Sequence, residues 1–313
     1  MRWSDRIGNR VKLRDLHIAL AVAKAGSTRK AAVELAVSQP VVSKAIASLE
    51  HTLGVRLFDR SPRGIEPTRY GRALLTCGTG LFDDLRKGVE TIEFLSDPTA
   101  GELRLGCTEP LATGFVGAVV EQLVRRYPRV AFRIVTADPL ALRERELAQR
   151  NIELAISPTE ELTPAPDLDV AILFEDRQVV VAGQRSKWAR RRSVDLRALL
   201  GESWFLPPPD TIIGSNIAKA FRAAGLDPPR AQIESFSIPL CLRLVATGRF
   251  LTMLPISTVS FGQHLPLKLL RLQSPALPRP TAIVSLKGRT LSPLAELFID
   301  CASKLAKPLA RLG

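Results

Sequence analysis

Between Ser38 and Lys44 the chain sets a hydroxyl, an amide, a proline ring, a second hydroxyl and an amine close together: Ser38, Gln39, Pro40, Ser43 and Lys44. Each group has a counterpart on duplex DNA. The Gln39 amide matches adenine N6 and N7, the Pro40 ring can touch a thymine methyl, and Lys44 can reach a guanine or a phosphate. Downstream, Arg56, Arg60 and Arg63 cluster around Ser61-Pro62-Arg63-Gly64, where guanidinium groups suit phosphate oxygens. Thr28 and Thr68 complete the set expected to face DNA.

Helices must hold these groups. Arg14 to Ala25 reads as an amphipathic helix, with Leu16, Ile18 and Val22 among its apolar residues and Gly26-Ser27 as its stop. Thr28 opens a short helix whose inner face is Ala31, Ala32 and Leu35. After an Ala36-Val37 turn, Ser38 as cap and Pro40 in the first turn start a third helix. Val42, Ile46 and Leu49 face inward at helical spacing, which turns Gln39, Pro40, Ser43 and Lys44 outward. Leu57-Phe58 and Ile65 flank the Ser-Pro-Arg-Gly turn and make a small hairpin. The pattern is that of a winged helix-turn-helix, whose second helix enters the major groove. On pattern alone, a three-helix bundle with a solvated face stays open.

Charge points the same way. The chain of 313 residues carries a net charge of +13, and residues 1–70 hold 13 basic against 6 acidic residues. A basic end on a nearly balanced body suits a nucleic-acid-binding module. Other chemistries lack their residues. His17, His51 and His264 are scattered, and Cys77, Cys107, Cys241 and Cys301 form no C-x-x-C pair, so no metal site is expected and the thiols are read as buried and reduced. Glu144 and Glu146 read as a solvated helix face. No nucleophile motif, zinc-protease motif or P-loop occurs, so no enzyme and no cofactor is expected. The start, Met1 to Arg6, lacks the apolar stretch of a signal peptide. No run of 18 apolar residues occurs, so a cytoplasmic chain without membrane contact is expected.

Leu13 to Leu75 resembles the DNA-binding domain of LysR-type transcriptional regulators. The matching words are Ala25-Gly26-Ser27, Ala31-Ala32, Ser38-Gln39-Pro40, Val42-Ser43, Leu49-Glu50, Leu53-Gly54, Leu57-Phe58, Arg60, Arg63-Gly64, Pro67-Thr68 and Gly71. Thr28-Arg29-Lys30 departs from the family, which usually places an aromatic before this threonine. Glu93-Phe94-Leu95, Asp97-Pro98-Thr99-Ala100-Gly101 and Gly248-Arg249-Phe250-Leu251-Thr252 are similar to the galactose-binding-protein-regulator branch. The resemblance implies a bacterial regulator whose partners are a double-stranded DNA operator, a small-molecule effector and a second copy of itself as dimer or tetramer. It admits RNA polymerase as a further partner. The branch-level likeness suggests a sugar as effector and regulation of sugar uptake or metabolism. The alternative reading is a cytosolic small-molecule-binding protein or enzyme on a binding-protein-like scaffold.

Three regions follow: a DNA-binding domain at 1–70, a linker helix at 71–97 and an effector domain at 98–313, together an α+β two-part chain. On the linker, Leu74, Leu81, Leu85, Ile92 and Leu95 recur at threes and fours, with Leu75, Phe82 and Val89 beside them. A single helix does not leave such a stripe in water, so a partner helix is implied. Gly78 and Gly80 interrupt this rod and are read as a flex point.

Beyond Thr99, short strands alternate with helices, which predicts an α/β domain with largely parallel sheets. Several strand-to-helix junctions carry small polar groups, where α/β sheets bind ligands and where helices are merely capped. The resemblance implies two lobes like those of type 2 periplasmic binding proteins, near 102–174 with 280–309 and near 176–274. By position it implies that Thr108, Pro110, Asp138, Pro139, Ser157, Pro208, Ser237 and Ile238 face the cleft between them.

Overall fold

The computed structural model describes residues 10–61, 64–159, 166–191, 193–261, 265–272 and 279–310, and the chain divides into two compact units, Met1–Val89 and Glu90–Gly313. The first unit opens with α1 (Leu13–Ala25), α2 (Thr28–Glu34) and α3 (Gln39–Leu53). Gly26 closes α1 at φ 62°, a left-handed conformation natural to glycine. Ile18 and Val22 of α1, Ala31 of α2, and Val42, Ile46 and Leu49 of α3 share one core. A hairpin follows, β1 (Phe58–Ser61) paired antiparallel with β2 (Gly64–Pro67). Leu57 and Phe58 anchor it in the same core.

The linker helix α4 runs Arg69–Ser96 without interruption; its 28 residues span about 42 Å. Gly78 has a packing role besides the expected flexing. It is buried, and a Cβ there would lie 3.0 Å from Leu16 Cδ1, so the missing side chain lets α4 approach α1. Phe82 meets the His17 ring at 5.5 Å, and Leu74 and Leu75 pack on the core. The rest of the apolar stripe, Leu81, Leu85, Val89, Ile92 and Leu95, is exposed. Cys77 is also exposed, against the expectation of buried thiols.

The second unit is built on two sheets. A five-stranded sheet has the order β4-β3-β5-β12-β6, from β3 (Ala100–Cys107), β4 (Arg129–Thr136), β5 (Leu154–Pro158), β6 (Leu168–Asp176) and β12 (Arg279–Leu286). Leu103, Leu105 and Cys107 alternate inward from β3. They pack with Phe115, Val119 and, from the C-terminal helix Pro293–Ala310, Phe298. A three-stranded sheet, β10-β7-β11, joins β7 (Gln178–Gly183), β10 (Leu251–Pro255) and β11 (Leu267–Leu270). A short parallel pair, β8 (Phe205–Leu206) and β9 (Ile233–Glu234), lies close by through a Trp204–Leu251 bridge. The chain leaves the first sheet at Arg177 and returns between Leu270 and Arg279.

The five-stranded sheet is mixed and the three-stranded sheet is antiparallel, which corrects the expected parallel arrangement. β3 is parallel to β4 and β5, but β12 is antiparallel to β5 and β6, and β7 is antiparallel to both neighbours. β12 arrives from the other sheet, so no crossover helix obliges it to run parallel. The first lobe's helical segment Ala112–Val116 touches the short helix Ile256–Val259 beyond β10. A Cβ on Gly114 would fall 2.0 Å from the Ser257 carbonyl oxygen, so only glycine admits this approach. Among the described residues, no helix is long and apolar enough to cross a membrane.

Candidate nucleic-acid interface and effector cavity

The first turn of α3 presents its polar groups to solvent. Gln39, Pro40 and Lys44 are exposed and Ser43 is half-buried, while Val42, Ile46 and Leu49 point into the core. Ser38 holds the N-cap position, but its hydroxyl makes no capping bond and remains exposed. Pro40 supplies the start signal instead, because its absent N–H needs no partner. Thr28 is the first residue of α2 rather than its cap; Ser27 takes that role, accepting from Lys30 N at 3.5 Å.

The hairpin is held to α3 by the Glu50 side chain and to the end of α1 by a backbone bond. Glu50 Oε1 accepts from the Leu57 and Phe58 amides at 2.7 and 3.3 Å, and the Ile65 amide donates to the Gly26 carbonyl at 3.0 Å. Arg56 is exposed at its base. Arg60 lies in β1 opposite Ile65. Arg63 lies outside the described residues. Thr68 corrects its expected role: its hydroxyl donates to the Arg56 carbonyl at 2.8 Å and accepts from the Gly71 amide at 3.0 Å, so it caps α4. Two arginines escaped the sequence reading. Arg69 and Arg72 of α4 border one hollow with Arg56. Their signal was the basic residues immediately after Pro67-Thr68, where the expected DNA-binding domain meets the expected linker. The surface is therefore a row of exposed polar groups on α3 beside a hollow in which Arg56, Arg69 and Arg72 stand with Asp59 and Glu66.

In the second unit, a cavity of about 750 Å³ opens between the five-stranded and three-stranded sheets. Thr108, Pro110, Asp138, Pro139, Ser237 and Ile238 line it. They are brought there by helix starts. Asp138 Oδ1 accepts from the Ala141 amide at 2.9 Å, and Ser237 Oγ from the Leu240 amide at 3.3 Å. Ser157 and Pro208 are not among the lining residues, and both expectations were off by one. Ser157 is fully buried and donates to the Pro158 carbonyl, while Pro158 lines the cavity; successive strand side chains alternate faces. Pro207 lines the cavity in place of Pro208, whose carbonyl is taken by Thr211 Oγ1 at 2.6 Å.

The structure adds Asp176, Gln178, Phe205, Thr252, Arg279 and Thr281 to the wall. Nothing in the local sequence marks them, since they sit within or at the ends of ordinary strands. Burial pushes the Asp176 carboxyl above its ordinary pKa, and hydrogen bonds from the Ser257 amide and hydroxyl pull it partly back. Burial likewise pushes the Cys241 thiol, on the cavity wall, to about 11, and Cys107 to about 12, so neither is a reactive thiolate.

Known proteins match both halves. Residues 13–72 match the family described as "Bacterial regulatory helix-turn-helix protein, lysR family", and residues 96–307 match "LysR substrate binding domain". The chain is 30% identical over 246 residues to the HTH-type transcriptional regulator GbpR of Azospirillum brasilense, covering 78% of this chain and 71% of that one. It is 30% identical over 287 residues to the SDS degradation transcriptional activation protein of a Pseudomonas species, covering 91% and 93%. In fold it is similar to full-length OxyR from Pseudomonas aeruginosa (TM-score 0.65, 20% identity, 96% of this chain and 100% of that one). It is also similar to full-length CbnR in complex with its target DNA (TM-score 0.60, 19% identity, 94% and 99%). With its helix-turn-helix exposed for DNA and its two sheets enclosing a cavity, the chain belongs to the LysR family of DNA-binding transcription regulators that carry an effector-binding domain.

Proposed function

We propose that a small molecule held between the two sheets of the second unit sets how this regulator reads its operator in the cytoplasm. The observation that carries this reading is the cavity itself: it has room for a small organic molecule and gathers residues from both sheets. Gln39, Pro40, Ser43 and Lys44 read base edges, while Arg56, Arg60 and Arg63 hold phosphates. The exposed stripe of α4 pairs with a second copy, which places two recognition helices on a partly symmetric site. A sugar is the effector suggested by the branch-level likeness, yet a sugar needs hydrogen-bonding groups on every side. Phe205, Ile212, Ile213, Phe236 and Met253 make much of this wall apolar.

The test uses the full chain and a duplex selected from a randomised pool. Sugars, alcohols, organic acids and aromatic acids are screened by thermal melting; a ligand at 100-fold over its Kd stabilises by ~2.7 kcal/mol. A compound that stabilises the chain should also change affinity for, or bending of, the selected duplex, and Thr108→Trp, which fills the cavity, should abolish both effects. Stabilisation that survives Thr108→Trp, or that leaves DNA binding unaltered, would defeat the reading.

A further inference from the structure

Two polar atoms on the cavity wall are buried without a hydrogen-bond partner: Gln178 Oε1 and Thr281 Oγ1. Thr281 is fully buried. A buried polar atom without a partner costs folding free energy, so a pair carried by residues that line one cavity points to a ligand that completes them. They come from different sheets, Gln178 from β7 and Thr281 from β12. Several other polar groups on the wall are already engaged. Asp138 and Ser237 cap helices, Ser235 Oγ accepts from the Ser237 amide at 3.1 Å, and Asp176 is bonded by Ser257.

Charge narrows the ligand further. Among the described residues, Glu109, Asp138 and Asp176 line the cavity against one cation, Arg279, which is attracted to Asp176. An anion entering here meets an excess of carboxylates. The remaining wall, with Phe205, Ile212, Ile213, Phe236 and Met253, suits a ring or a branched alkyl chain.

Resting on the reading of this cavity as the effector site, we propose that it takes an uncharged molecule with an apolar body and one hydroxyl end. The hydroxyl donates to Gln178 Oε1 and accepts from Thr281 Oγ1. One O–H thus satisfies both atoms and ties the two sheets together across the cleft.

The experiment compares full-length wild type with Thr281→Val and Gln178→Met by thermal melting. The probes are 2-phenylethanol, 2-phenylethyl methyl ether, phenylacetate and D-galactose. Without any probe, each variant should melt about 2–4 °C above wild type, because an apolar side chain of similar size removes an unsatisfied group. 2-Phenylethanol should stabilise wild type, with roughly tenfold weaker binding by either variant and by the ether on wild type, the expected loss for one hydrogen bond. Variants that melt at or below wild type without a probe would show that these atoms serve the fold, and would overturn the proposal. So would tighter binding of phenylacetate or galactose than of 2-phenylethanol. If that tighter binding is abolished by Thr108→Trp, the hydroxyl ligand fails while the effector reading stands. If it survives Thr108→Trp, the effector reading fails as well.

Discussion

The DNA-reading unit and the effector unit assemble their chemistry in opposite ways. In the first, Gln39, Pro40, Ser43 and Lys44 are neighbours in sequence on one exposed face of α3. In the second, Thr108 and Ser237 at two helix starts and Gln178 and Thr281 on strands of two sheets reach one cavity. A surface built on one helix tolerates substitution of its outward groups, since the inward face carries the fold. A cavity built from two sheets makes its ligand-binding groups part of the structure that closes it.

The largest effect expected is on pairing. Leu85 and Ile92 lie on the exposed stripe of α4, 52% and 66% accessible in the single chain. Leu85→Glu with Ile92→Glu should convert the chain to monomers in sedimentation. It should also lower affinity for the selected duplex by roughly 100-fold, the order lost when two linked sites become independent. An unchanged mass would show that α4 is not the pairing surface.

Two glycines sharpen the comparison from the packing side. A Cβ at Gly71 would fall 2.0 Å from the Leu57 carbonyl oxygen in the first unit, and one at Gly114 2.0 Å from the Ser257 carbonyl oxygen in the second. Each alanine should cost about 1–3 kcal/mol through forced displacement of backbone. Gly71→Ala should weaken DNA binding and spare stabilisation by a cavity ligand; Gly114→Ala should do the reverse. Loss of both activities in either variant, measured by anisotropy and melting on one preparation, would show that the two units do not act separately.

The same contrast explains what could be read from the amino-acid sequence. Helix periodicity placed Val42, Ile46 and Leu49 inward, and so placed Gln39 and Lys44 outward, because one helix fixes both faces. The hairpin followed from Leu57-Phe58 and Ile65 on either side of a turn. The packing reason for Gly78 could not be read, because it is tertiary: Leu16 occupies the space a side chain would need. Thr68 looked available for phosphate, and only the fold shows its hydroxyl spent on Arg56 and Gly71. In the second unit, capping residues such as Asp138 and Ser237 were visible at helix starts. Gln178 and Thr281 were not, because nothing local distinguishes a strand residue facing a cleft from one facing a core. Ser157 missed by one position, the error a pleated strand makes most costly.

The most direct test of the account is the affinity of Gln39→Ala and Arg56→Ala for the selected duplex and for a scrambled one, across a salt series. Gln39→Ala should lose about 1–3 kcal/mol on the selected duplex and little on the scrambled one, because it reads a base. Arg56→Ala should weaken both alike and lower the salt dependence by about one phosphate contact. Equal loss on both duplexes for Gln39→Ala would contradict the assignment of the first turn of α3 as the reader of sequence.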